Sequence, residues 1–178
     1  MNRLTFSFLI VALCALAFSL LHWRHTPPAI SLSGSFARHQ VDHVFQGVPA
    51  TIDLKSNPDA PSFRTRLLAH NHQSPTFAGY YCFVSWGCGT ECQQTALIDV
   101  RDGKVYFGPV TSLGSRYQLK SRLLVANAPE DLLAYYQGAG EKTVPVDNLY
   151  PTEYWLWNET SKAFSQIQEW EPTSELSR

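Results

Sequence analysis

Clustered charge is missing from this chain. Its 178 residues hold 14 Lys and Arg against 15 Asp and Glu, a formal net charge of −1, and the basic residues are scattered. Phosphate backbones require a positive patch, so nucleic acid is excluded as the main partner. Signatures of established chemistry are missing too: there is no phosphate-binding Gly loop, no Gly-x-Ser-x-Gly and no His-Glu-x-x-His. Nor does an acid/base pair stand out. Asp99 near a strand end and Asp102 in a turn read as hairpin chemistry, while Glu130 and Asp131 fit the first turn of a helix. The sequence thus names no catalytic residue and implies no cofactor, and an enzyme is the less favoured class.

Charge is also absent from Leu4 to Trp23, where only Thr5, Ser7, Ser19 and His22 interrupt the apolar run. As a helix this run is about 30 Å long, enough to cross a hydrocarbon core. One reading is a signal peptide with a small-residue site at Ala15-Leu16-Ala17. The other is an uncleaved signal anchor. Apolar residues continue past Ala17 to Arg24, and cleavage there would leave an apolar stub, so the anchor is preferred. Arg3 before the run and the large domain after it favour an N-inside, C-outside orientation. Cys14 follows bulky Leu13, unlike a bacterial lipoprotein site, and reads as a small apolar residue of the segment. The expected address is the inner membrane, contacted through residues 4–23 and facing the periplasm, or the secreted or periplasmic space if residues 1–24 are removed.

What the chain does have is aromatic residues, 13% against 16% charged, a balance that suits a β-rich extracytoplasmic domain. After the N-terminal segment about 150 residues remain, enough for one domain with a genuine core. Residues 25–61 read as a tether, carrying Pro27-Pro28, Ser31, Ser33, Gly34, Ser35, Pro49, Pro58 and Pro61. Within it, Val48–Leu54 is a candidate edge strand. Residues 62–171 form the expected β-rich domain, and 172–178 a frayed tail.

Inside that domain Ser62–His70 fits one or two helical turns with Phe63 and Leu67 on one side. Tyr80–Trp86 and Thr95–Val100 read as strands covered on both faces. Asp102-Gly103 predicts a tight primed turn leading into Val105-Tyr106-Phe107. Arg116–Ala126 predicts a strand pair or one bent strand. Pro129–Gln137 predicts a short helix, with Pro at its start and Gly138 beyond its end. A last hairpin joins Glu153–Trp157 to Ala163–Ile167. The fold class is therefore mainly β: an antiparallel meander, sandwich or roll with one or two short helices, following an N-terminal transmembrane or signal helix.

Cys88 and Cys92 flank Gly-Thr-Glu at the end of the most apolar strand. Paired strands there would bring their α-carbons into disulfide range, and export favours a structural disulfide. Two other readings stay open: a thiol or metal site joining Cys88 and Cys92 to His70 and His72, since thiolates suit copper(I) and zinc, and Cys88 as a nucleophile. Cys82 reads as a buried small apolar residue. His39, Asp42 and His43 lie within reach of one another, yet in the tether they read as solvated polar residues. Arg116, Lys120 and Arg122 read as a solvated sheet face rather than an anion stripe. Asn158-Glu159-Thr160 is a formal glycosylation sequon that also suits a turn.

Phe77-Ala-Gly-x-Tyr81, Trp86-Gly-Cys-Gly-Thr-x-Cys-Gln93, Ile98-Asp99 and Asp102-Gly-Lys-Val-Tyr-Phe107 together resemble a group of small, exported, largely uncharacterised bacterial proteins. Ser121-Arg-Leu-Leu-Val125 and Tyr154-Trp-Leu-Trp157 echo it more weakly. The pattern often carries His where this chain has Tyr80, and Cys82 is not part of it. The resemblance implies export and a shared fold, and no activity. The expected role is a disulfide-stapled binding or structural domain with an envelope protein as partner. The alternatives are a periplasmic thiol or metal handler using Cys88 and Cys92, or an inhibitor presenting the closed turn to an envelope enzyme.

Overall fold

In the computed structural model, which describes residues 32–145 and 147–168, alternation along each strand sends side chains to opposite faces. β1 (Tyr81–Gly89) shows this directly: Tyr81 and Phe83 enter one buried cluster, while Cys82, Val84 and Trp86 enter another. Its partners β2 (Cys92–Asp99) and β3 (Val105–Phe107) complete a three-stranded antiparallel sheet in the order β1-β2-β3. β4 (Ser115–Tyr117), β5 (Leu123–Ala126), β6 (Glu153–Asn158) and β7 (Ala163–Ile167) form a second antiparallel sheet, again in sequence order. The protein is mainly β, with Arg116–Ala126 a strand pair rather than one bent strand. The expected N-terminal helix over 1–24 and the tail at 172–178 lie outside the described residues. Among those residues no helix is long and apolar enough to cross a membrane.

The two sheets share one buried cluster. Tyr81, Phe83 and Leu97 from the first, with Phe77 just before β1, meet Leu124 and Trp157 from the second, with Tyr106, Trp155 and Phe164 around them. Trp157 is fully buried, its ring 5.0 Å from Tyr81 and 5.2 Å from Phe164. On its other face the first sheet is covered by a 3-10 turn (Ala60–Phe63) that runs into α2 (Arg64–Leu68), with Ala60 and Leu67 buried there. On the far face of the second sheet, Leu123 and Val125 pack with Phe36 of α1 (Leu32–Arg38). The remaining helix is α3 (Pro129–Gly138), with Pro at its start and Glu130 and Asp131 in its first turn.

Residues 32–61, whose composition reads as a tether, contribute to this packing. Phe36, Ile52 and Ala60 are buried, and Gln40 bridges to Ser121. Val48–Leu54 is not a strand; it holds one isolated parallel bridge, Asp53 to Lys104. Two glycines make the fit possible. A Cβ at Gly79 would lie 2.1 Å from the His43 carbonyl oxygen, and one at Gly103 would lie 2.0 Å from that of Thr51. Both have positive φ, +75° and +78°, the region that glycine enters without steric cost. The segment is tied at these points: Phe45 N–H donates to the Gly79 carbonyl and Asp53 N–H to that of Gly103, each at 2.9 Å. Among the described residues three short α-helices therefore form where one or two were expected, the extra one being α1.

The β2–β3 turn also differs in kind. Only Gly103 has positive φ, not Asp102, so this is not the two-residue primed turn that Asp-Gly suggests. Gly103 N–H donates to Asp99 across a longer loop, and Asp102 Oδ1 accepts from Lys104 N–H.

Candidate functional site

The end of the β1–β2 hairpin is built from small and conformationally unusual residues. Pairing shifts register between Gly87 and Gly89, leaving Cys88 as the extra residue of a bulge. Gly89 (φ +150°) and Glu91 (φ +51°) turn the chain so that Cys92 returns opposite Gly89. The Cys88 and Cys92 Sγ atoms then lie 1.98 Å apart, at disulfide distance, with their α-carbons 5.1 Å apart. The arrangement is compatible with a disulfide-stabilised domain.

This tip is also held from outside. The Glu91 carboxylate accepts hydrogen bonds from the hydroxyls of Tyr135 on α3, at 2.6 Å, and of Tyr150. Those two donors hold its carboxyl below the usual range. Glu91 is the variable position of the Trp86–Gln93 pattern, so nothing in the sequence pointed to this contact.

Beside the tip, the helical segment Pro61–Arg66 and the strand residues Trp86–Cys88 border a cleft of about 560 Å³. A second, of about 260 Å³, continues along β1 past Val84, Ser85 and Trp86 to His70. Phe63 and Trp86 floor this region, ring centroids 5.0 Å apart. Arg64 and Arg66 line it, and no described residue forms an ion pair with either.

The histidines considered with the cysteines have other partners. His70 Nδ1 lies 3.0 Å from Gln73 Oε1, and His72 Nδ1 lies 3.0 Å from the Pro49 carbonyl oxygen. Among the described residues no three His, Cys, Asp or Glu side chains converge as a metal site. Cys82 is buried beneath α2, and that burial pushes its thiol up to about 11. Of the basic candidates, Arg116 forms a forked ion pair with Asp131, Nε to Oδ2 at 2.9 Å. Asn158 Oδ1 accepts from the N–H groups of Thr160 and Ser161, the turn role its position suggests.

A cluster that the sequence did not reveal lies at the opposite end of β1, about 25 Å away at strand rise. The buried Tyr81 hydroxyl donates to Glu159 Oε2 at 2.5 Å and accepts from Lys162 Nζ at 2.8 Å and Arg101 Nη2 at 3.2 Å. Arg101 also grips buried Asp99 with two donors, at 2.8 and 2.5 Å. Asp99 is thus an ion-pair residue as well as a turn residue. Burial would raise the Glu159 carboxyl, but donors from Lys162, Tyr81, Arg101 and Trp157 outweigh it and pull the group down to about 2. Tyr81 is pushed well above the ordinary tyrosine range, first by burial and then by its bond to Glu159. Two acids, Asp99 and Glu159, balance two bases, Arg101 and Lys162, here. The cluster clamps the β2–β3 loop to the β6–β7 loop.

Among the described residues the hairpin end brings together the Phe63–Trp86 ring pair, two arginines without an ion-pair partner and a turn closed at disulfide distance. Comparison with known proteins gives no matching family model, no matching curated protein and no matching solved structure.

Proposed function

We propose that this chain is an exported binding domain of the bacterial envelope, tethered through residues 4–23, that recognises a protein partner at the Cys88–Cys92 end of its first hairpin. The observation that carries this is the joint placement of the cysteine pair, the cleft and the Glu91 contacts. A turn closed at disulfide distance and held by Tyr135 and Tyr150 presents one wall of an open cleft. Preorganisation of that kind lowers the ordering cost of binding. Export is supported by the cysteine pair, because structural disulfides persist in oxidising compartments. It is supported also by the apolar run at 4–23 and by the resemblance of Trp86–Gln93 to exported bacterial proteins.

Thiol mapping of the full chain recovered from envelope material tests this reading, together with capture of partners from envelope extract. Cys88 and Cys92 are expected to resist alkylation until reductant is added, and Cys82 until the protein is unfolded. Captured protein is expected to be released on reduction. Rapid alkylation of Cys88 and Cys92 in the untreated protein would overturn the stapled domain and return the pair to thiol chemistry.

A further inference from the structure

β1 is the outer strand of its sheet, so every second residue turns its backbone N–H and C=O away from β2. The hydrogen bonds fix which ones. Tyr80 C=O accepts from Val100 N–H, whereas Thr95 C=O accepts from Gly108 N–H and Gln93 exchanges bonds with Thr111. Thr95 and Gln93 therefore spend their polar groups on the side away from β1. Their partners Ser85 and Gly87 point theirs outward. The same edge is covered farther up, where Tyr81 exchanges bonds with Phe77 and Phe83 N–H donates to Thr76 Oγ1 at 3.0 Å. At Ser85 and Gly87 no described residue takes over.

This uncovered stretch borders both clefts, which share Thr65, Arg66 and Trp86. From Val84 to Cys88 they span about 13 Å at strand rise, the length of a short extended segment. A Cβ built at Gly87 meets nothing within 4 Å. The lining includes Arg64 and Arg66 and no Asp or Glu.

We propose that an extended acidic peptide adds as a strand to the β1 edge at Ser85 and Gly87, lying between that edge and the Pro61–Leu68 helical segment. Backbone pairing supplies register-fixed affinity, and alternate side chains supply specificity. Facing carboxylates meet Arg64 and Arg66, to which guanidinium forks are suited. The bulge and cysteine closure at Gly87–Gly89 end the edge and so limit how far the peptide pairs. The proposal rests on the binding-domain reading and names the ligand class for that site.

An array of hexapeptides alternating Val with either Glu or Lys, applied to the full chain in detergent, tests it. Hydrogen exchange is read at residues 84–88. The Glu peptides are expected to bind at least tenfold tighter than the Lys peptides and to slow exchange at Ser85 and Gly87. N-methylation of the peptide on its pairing edge, or Ser85→Pro, which removes an outward N–H and leaves the β1–β2 ladder in place, should each weaken binding at least tenfold. Arg64→Glu with Arg66→Glu should reverse the charge preference.

Equal binding of the two arrays, or none, with Ser85 and Gly87 unprotected, overturns the proposal. Protection of the same amides without peptide, rising with protein concentration, overturns it too and assigns the edge to a second copy. If the peptides fail while the wild-type chain still captures an envelope protein, the edge alone is wrong. If capture fails as well, the binding-domain reading falls with it.

Discussion

Glu159 carries the charge economy of the Tyr81 cluster. Its folded carboxyl, held at about 2, stands below the 4.5 of an unperturbed glutamate, so the unfolded state takes up the proton first as pH falls. The stabilisation is complete above 4.5 and is lost as pH drops toward 2. The side chain is 43% exposed, and solvent screening reduces the contribution to about 1–2 kcal/mol. Glu159→Gln is expected to lose that amount at pH 7 in urea unfolding, with the gap to wild type closing between pH 4.5 and 2. A constant gap over that range would show that the carboxylate does not carry the effect. The residue was invisible as a functional group beforehand. In Asn158-Glu-Thr-Ser-Lys it reads as turn chemistry, and only the packing of Trp157 against Tyr81 between the two sheets brings it to the hydroxyl.

At the scale of elements, segment 41–53 depends on two backbone approaches. Gly103→Ala puts a methyl 2.0 Å from a carbonyl oxygen at positive φ, a combined clash and strain of about 2–4 kcal/mol. Gly140→Ala, with φ of +92° and nothing within 4 Å, is expected to cost only about 1 kcal/mol. Thermal or urea melts of the two variants check the contrast, and equal costs would remove the role given to the close approach. Strands and helices with strong local signals were legible: β1, α3 and the last hairpin lie where the apolar run Tyr80–Trp86, the Pro129 start and the turn at Asn158–Lys162 place them, with α3 running one residue further to include Gly138. The turns were less so. Glu91 and Lys162 adopt positive φ with no glycine or asparagine to mark them, because tertiary contacts hold them there.

For the molecule as a whole, the shared cluster joins the two sheets, and Trp157 is its largest fully buried side chain. Trp157→Ala removes ring contacts with Tyr81, Tyr106 and Phe164 and leaves a cavity between the sheets. A loss of about 3–5 kcal/mol is expected in chemical unfolding. Trp155→Ala, at a partly buried position beside the same cluster, should lose clearly less. Comparable losses would mean that the cluster is not centred on Trp157.

The sequence by itself determined a β-rich class, an apolar N-terminal run, the order of most strands and the pairing range of Cys88 with Cys92, because period, turn chemistry and spacing are local properties. It determined little about the site. Which strand forms the outer edge, which amides stay unpaired, and which tyrosines reach Glu91 depend on residues far apart in the chain. So does the fate of segment 32–61: its Pro and Ser content reads as tether, yet Phe36, Ile52 and Ala60 become buried where the sheets leave apolar faces to cover. Burial of that kind is decided by the partner surface, and the partner surface exists only once the chain has folded.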